Sequence, residues 1–552
     1  MRLPPCNSGH RCADGGSGEC TQPQGHYGKH LCGSCLAFFG GGEVLHPGPA
    51  AGAQDRSYPP EPPPKQESVL DRKIHLEEEL VTEIPAVPRL CGTLSLERRK
   101  IRVTDCELYV EEEGRGMPLV LINGGPGGTH HCFHPWFSRA RDFARLVYYD
   151  QRGCGLSDYV PGEHGYSVDQ AVADLDDLRK ALGIDQWVVL GYSYGGFLAQ
   201  YYAMKHVEHL SGLILLGAEP GMWAEMKSTR QWDFLSAAEQ AHMKEYRSRL
   251  QNLATKERWP EEKLESLVSY NNHLNGDWKR QSFYRPSREQ VARSALYEWN
   301  FDMRNHFRGA IGNSVSRIDL TGAFAGFPAP TLILEGRWDL TWNTDKPGIL
   351  AKNHPGAELM MFEKAGHGIY DEDPDEFFRV VGDFMQSLPP VSPAAITAYR
   401  DYLADWDRMQ KASPLHIVSE AGNGRSALLQ LAGSYKREWC DELDDPHLLL
   451  RLGFAQYEIA RYDEALYIYE RMQEKAERKA LPPVQAAALV WQGHMLDLLG
   501  RRPEAIARYR QASEVNFESS WSYDQYGLHY KLPAYALERV EKPFARVENR
   551  KT

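Results

Sequence analysis

The segment Gly191-Tyr192-Ser193-Tyr194-Gly195-Gly196 constrains this chain more than any other feature. It fits G-x-S-x-G, in which a serine sits on a strained turn between a strand and a helix with its hydroxyl exposed. The pattern alone occurs often by chance, so its flanks must supply the two elements. Before it, Trp187-Val188-Val189-Leu190 is a short apolar run of the kind buried on both faces of a parallel sheet. After it, Phe197 to Met204 contains good helix formers and no Gly or Pro. The glycines around Ser193 suit a tight elbow, where backbone meets backbone and a Cβ has no room.

A serine is a weak nucleophile at neutral pH and needs a base, which in turn needs a carboxylate to orient it. After an elbow of this type the acid and then the histidine follow in the chain. Pro330 to Glu335 reads as a second buried strand, and the loop Gly336-Arg337-Trp338-Asp339 places a carboxylate just past it. Glu358 to Phe362 reads as the next strand and leads to Ala365-Gly366-His367-Gly368. Ser193, Asp339 and His367 thus occur in the required order, each just beyond a strand. His367 alone would read as a loop histidine with a structural hydrogen bond; three residues at three matching strand ends make a triad the better reading. Asp345, further past its strand, is the alternative acid.

A glycine-rich loop, Asn123-Gly124-Gly125-Pro126-Gly127-Gly128, follows the strand Leu119 to Ile122. No Lys-Ser or Lys-Thr follows it, so it is not a P-loop, and His130 breaks a G-x-G-x-x-G pattern. As an oxyanion loop it makes sense. The backbone N–H groups of Gly125 and Tyr194 would converge on the oxygen that becomes negative during acyl transfer.

These motifs, with Asp150-Gln151-Arg152-Gly153-Cys154-Gly155-Leu156-Ser157-Asp158, resemble the ordered set of the proline iminopeptidases. The resemblance spans about Leu90 to Leu388 and implies an α/β-hydrolase fold with a helical cap. It implies a serine peptidase that removes an N-terminal proline or other small residue, with Ser193 as nucleophile, Asp339 and His367 as its partners, and Gly125 and Tyr194 as oxyanion donors. No cofactor or metal is expected. Two positions depart from the family pattern. Asn123 stands where the family usually has His, and can still brace the loop by hydrogen bonding. Leu340 stands where some members have a Glu after the triad acid, so a carboxylate for the substrate's ammonium must come from elsewhere. Glu298 and Asp302 in the cap are the candidates, against the ordinary reading of each as a solvated acid. An esterase or non-peptide amidase using the same triad is the alternative enzyme. A repeat scaffold with a degenerate hydrolase is the alternative from another class, and the complete triad argues against it.

At 552 residues the chain is long enough for two or three domains. A net charge of −12 argues against nucleic acid or an anionic membrane surface as partner. No run approaches the ~18 apolar residues of a membrane span, and a cytoplasmic location is the default. Residues 1–68 are dense in Gly, Pro and Cys, show no periodicity and read as disordered. Cys32 and Cys35 there form at most half of a zinc site. Leu31 to Phe39 resembles a signal core in the wrong place. The hydrolase is expected over 69–390, with its cap at about 219–321, where Leu264 to Tyr270 reads as helix and Trp232, Trp278 and Trp299 either line the pocket or pack the cap. From 391 to 552 the pattern becomes all-helical. Gly453, Tyr457, Ala465 and Tyr469 match a tetratricopeptide-like unit that recurs at Gly493, Ala505 and Tyr509, and the two alanines stand 40 residues apart rather than the usual ~34. The substrate is a small peptide or other small molecule, and these repeats would bind a protein partner or a second copy.

Overall fold

The computed structural model describes residues 67–71, 73–74, 76–90, 96–160, 165–221, 234–298, 311, 314–315, 317–341, 346–411, 413–420, 425–516 and 532–545. The expected disordered stretch up to residue 66, and Trp232, Trp299, Asp302 and Asp345, lie outside the described residues. The chain divides into two compact units, Met1–Leu403 and Ala404–Thr552.

The first unit is built on one eight-stranded sheet in the order β1-β2-β4-β3-β5-β6-β7-β8. Its strands are β1 (Glu97–Arg102), β2 (Glu107–Gly114), β3 (Met117–Ile122), β4 (Ala144–Tyr149), β5 (Trp187–Tyr192), β6 (Leu210–Leu216), β7 (Thr331–Gly336) and β8 (Glu358–Phe362). β1 and β2 pair antiparallel, as do β2 and β4, while every pair from β4 to β8 is parallel. Val188, Val189 and Leu190 on β5 are completely buried, as are Leu332, Ile333 and Leu334 on β7. Such unbroken apolar runs are what helices on both faces of a parallel sheet demand. The edge strand β1, Glu-Arg-Arg-Lys-Ile-Arg, is strongly charged, and charge on an edge discourages pairing with another chain.

Chain order and spatial order part at β3 and β5. From β3 the chain moves to β4 on one side, and from β5 it moves to β6 on the other. The loops leaving β3 and β5 therefore flank a crevice at the carboxyl edge of the sheet, the usual ligand position in an open α/β sheet. These are the glycine-rich loop and the serine elbow.

The cap carries helices Ala237–Glu257, Glu261–Leu274 and Arg288–Arg293, the last continuing into a π turn, Ser294–Glu298. Capping boxes begin the first and third, at Ser236 with Glu239 and at Ser287 with Gln290. The segment 76–90 runs along the cap as irregular chain. Asn275 Oδ1 accepts from Glu77 N at 2.7 Å, and the Asn271 side chain both accepts from Val81 N and donates to Val81 O. Val81, Ile84 and Val87 add apolar contacts to the cap core. Trp278 is buried inside the cap.

The second unit is helical. Pro446–Glu458 packs on Tyr462–Arg478, that helix on Pro482–Leu498, and that one on Arg502–Glu514. One contact recurs: a Cβ on Gly453 or on Gly493 would lie 2.4 Å from Cε1 of Tyr469 or of Tyr509, respectively. Each glycine lets an aromatic ring from the next helix lie on its backbone, which is how the two halves of this unit reuse one packing solution.

Candidate active site

Ser193 joins β5 to helix Tyr194–Lys205 at φ 57° and ψ −123°. A side chain at positive φ costs about 1–3 kcal/mol and persists only where surroundings enforce it. Here they do. Ser193 N donates to Leu216 O at 3.0 Å, and Ser193 O accepts from Gly196 N at 2.8 Å and Glu219 N at 2.9 Å. A Cβ at Gly191 would lie 2.2 Å from Gly195 O, and one at Gly195 would lie 2.2 Å from Ile122 O. The elbow is thus pressed against itself and against the end of β3.

The glycine-rich loop lies over the serine, since a Cβ on Gly124 would stand 3.0 Å from Ser193 Cβ. Gly125 has φ 138°. Tyr194 is the first residue of its helix, where an N–H has no acceptor within the helix. Asn123 is fully buried, and its Nδ2 donates to Gly124 O at 3.1 Å. Asp150 holds the far end of the loop: its Oδ1 accepts from His130 N at 2.8 Å, and its Oδ2 accepts from Leu156 N at 2.7 Å. The segment 150–158 is therefore a brace for the glycine-rich loop.

Asp339 and His367 meet. Asp339 Oδ2 lies 2.7 Å from His367 Nδ1, and both residues are buried. His367 N donates to Gln281 O at 2.6 Å, and Leu340 N donates to Arg280 O at 2.9 Å, so the cap segment after Trp278 seats both loops. The His367 ring packs on Tyr192 with centroids 4.8 Å apart. A Cβ on Gly217, one residue past the Leu216 carbonyl that holds Ser193, would come within 3.0 Å of His367 Nδ1. Burial opposes ionisation of Asp339, but His367 and Lys346 outweigh it and hold the carboxyl far below the usual range.

Carboxylates gather beside this group. Glu298 ends the π turn, docked just past the glycine-rich loop by Thr129 N donating to Glu298 O at 3.0 Å and by the Thr129 hydroxyl donating to Tyr297 O at 2.6 Å. Asp371, four residues past His367, has a buried Oδ1 with no hydrogen-bond partner among the described residues. Burial and the charge of Glu298 push its carboxyl up. Burial, followed by the charge of Asp371, does the same to Glu372. Glu219, at the start of the cap, is pushed up to about 8 by burial. Asp371, Glu219 and Lys346 were not singled out in the sequence. Asp371 was findable from its spacing after His367, but Lys346 required the fold.

One cluster among the described residues has metal-ligand chemistry: Glu111, His130 and His134, all buried, with donor atoms within 4.8 Å of one another. The same carboxylate already accepts from Tyr109 Oη at 2.7 Å and Arg98 Nε at 3.2 Å, and lies 2.8 Å from His134 Nε2. A guanidinium at that distance repels a cation, so the cluster is an ion network that supports the loop carrying His130. No helix among the described residues is long and apolar enough to cross a membrane.

Residues 117–374 match the alpha/beta hydrolase fold family. A proline iminopeptidase of Saccharolobus solfataricus is 30% identical over 281 residues, 50% of this chain and 87% of that protein. One of Neisseria meningitidis is 28% identical over 313 residues, 51% of this chain and 94% of its own. One of Arabidopsis thaliana is 27% identical over 322 residues, 52% of this chain and 79% of its own. On these matches and the fold that carries them, the chain belongs to the proline iminopeptidase family of α/β-hydrolases.

Proposed function

We propose that this hydrolase is a serine aminopeptidase that releases an N-terminal residue, proline or similar, from short peptides through an acyl-enzyme. Ser193 Oγ attacks the scissile carbonyl while His367 takes its proton, and Asp339 stabilises the imidazolium through Nδ1. The carbonyl oxygen becomes negative against the N–H groups of Gly125 and Tyr194. Collapse breaks the C–N bond, and His367 returns the proton to the departing amine. Water, deprotonated by His367, then attacks the ester, and Ser193 leaves with its proton restored.

The observation that carries the substrate class is the half-buried acid pair Glu298 and Asp371, with the Asp371 Oδ1 atom itself buried. A carboxyl raised by burial and a like charge gains most when a cation arrives, and a substrate's ammonium supplies one. Tyr192, whose ring packs at a tilt against His367, also feels the charges of Glu298, Asp371 and Asp339, so the acids act on the same neighbourhood as the base. Prolyl and alanyl chromogenic amides, free and N-acetylated, test this beside p-nitrophenyl esters. Acetylation should remove most turnover, and Glu298→Gln should raise KM for the free amines while leaving neutral esters nearly unaffected. Equal turnover of free and acetylated amides would leave an esterase or general amidase as the reading, consistent with Leu340 beside the triad acid.

A further inference from the structure

Lys346 opens helix Lys346–Asn353 and is almost entirely buried. Its Nζ lies 2.7 Å from Asp339 Oδ2 and 2.8 Å from Glu335 Oε2. Asp339 Oδ2 is therefore shared between a lysine ammonium and His367 Nδ1, each at 2.7 Å. The other oxygen, Oδ1, accepts from Thr341 N at 3.0 Å and from the Thr341 hydroxyl. Thr341 Oγ1 also stands 3.3 Å from His367 Nδ1.

A buried lysine costs several kcal/mol in lost hydration, and the first turn of a helix is the wrong end for a cation. The location therefore calls for an explanation beyond packing. We propose that Lys346 is a positioning residue of the catalytic triad: clamped between Glu335 and Asp339, its ammonium fixes the acid against His367 and withdraws part of the negative charge that would otherwise favour protonating the base. This rests on the triad reading given above.

Charged groups on every side fit the role. Lys346 meets Asp339 from the loop after β7 and Glu335 from β7 itself, and its charge also reaches Glu219 at the start of the cap. Burial pushes Glu335 up to about 7, against the pull of Lys346. The ammonium thus offsets charge on Asp339, the carboxylate that also meets His367. Removing it leaves the whole carboxylate charge facing the imidazole. The imidazolium then forms at higher pH, before substrate arrives, and the base is lost there.

The test is the pH profile of kcat/KM for Lys346→Met, Lys346→Arg and the double variant Lys346→Met with Glu335→Gln. The double variant relieves the buried carboxylate that the single one orphans, so it decides the matter where Lys346→Met fails to fold. In the methionine variants the acid limb should move up by about one pH unit, which is about a tenfold loss of kcat/KM below the wild-type limb, with KM unchanged. Lys346→Arg should return most of the shift. A folded double variant labelled by fluorophosphonate at Ser193 but keeping the wild-type limb would overturn the proposal, and Lys346 would then only neutralise Glu335. Labelling at a residue other than Ser193 would overturn the triad reading itself, and this proposal with it.

Discussion

Asp339→Asn is the substitution whose effect the structure defines most closely. Asp339 accepts at four places: Oδ1 from the Thr341 N–H and hydroxyl, Oδ2 from His367 Nδ1 and Lys346 Nζ. An asparagine amide has one oxygen and one NH2 group, so one pair of donors must face another donor. With the oxygen toward Thr341, the NH2 confronts the ammonium of Lys346 and turns His367 to the tautomer that cannot take the serine proton through Nε2. With the oxygen toward His367, the NH2 confronts the backbone N–H of Thr341 and pulls the loop. The first arrangement is the less costly for the backbone, and the wrong tautomer in such a triad costs about 10⁴-fold in kcat, equivalent to about 5.5 kcal/mol of barrier. Lys346 keeps Glu335 as a partner, so the loss of stability should stay near or below the ~3 kcal/mol expected for breaking a buried pair. Steady-state rates on the best chromogenic amide, with thermal unfolding followed in parallel, separate the two effects. A folded Asp339→Asn enzyme within tenfold of wild-type kcat would refute this account of the acid.

In the helical unit, Gly493→Ala drives a methyl into the Tyr509 ring and should destabilise that unit by about 1–3 kcal/mol, read as a lower midpoint in its denaturant unfolding; an unchanged midpoint would mean that the ring moves freely. Glu298→Gln should raise KM for free-amine substrates with kcat less affected, and an equal rise for acetylated ones would show that it shapes the pocket without pairing with the ammonium.

What could be read from the chain was local. The elbow, the glycine-rich loop and the strand ends before Asp339 and His367 are signalled by runs of four to six residues, and the structure sets strands at each of those places. β1 and β2 escaped notice because β1 is charged and β2 carries three glutamates in a row. Those acids are matched by distant partners, Arg98 and His134 for Glu111, Arg145 for Glu112 and Tyr148 for Glu113. The chain at 76–90 has no periodicity of its own and is held by Asn271 and Asn275, about 190 residues away. Lys346 reads as an ordinary surface lysine until the register of β7 places Glu335 and Asp339 around it. Long-range pairing, not local propensity, decided each of these.

The central claim is that Ser193 is the nucleophile made reactive by His367 and Asp339. Its most direct measurement is fluorophosphonate labelling of the full chain, with the adduct mapped by peptide mass spectrometry, in wild type and in Ser193→Ala. The adduct should fall on the peptide containing Ser193 in wild type and vanish in Ser193→Ala while the fold is kept. An adduct on another serine, or labelling that survives in Ser193→Ala, would contradict the account.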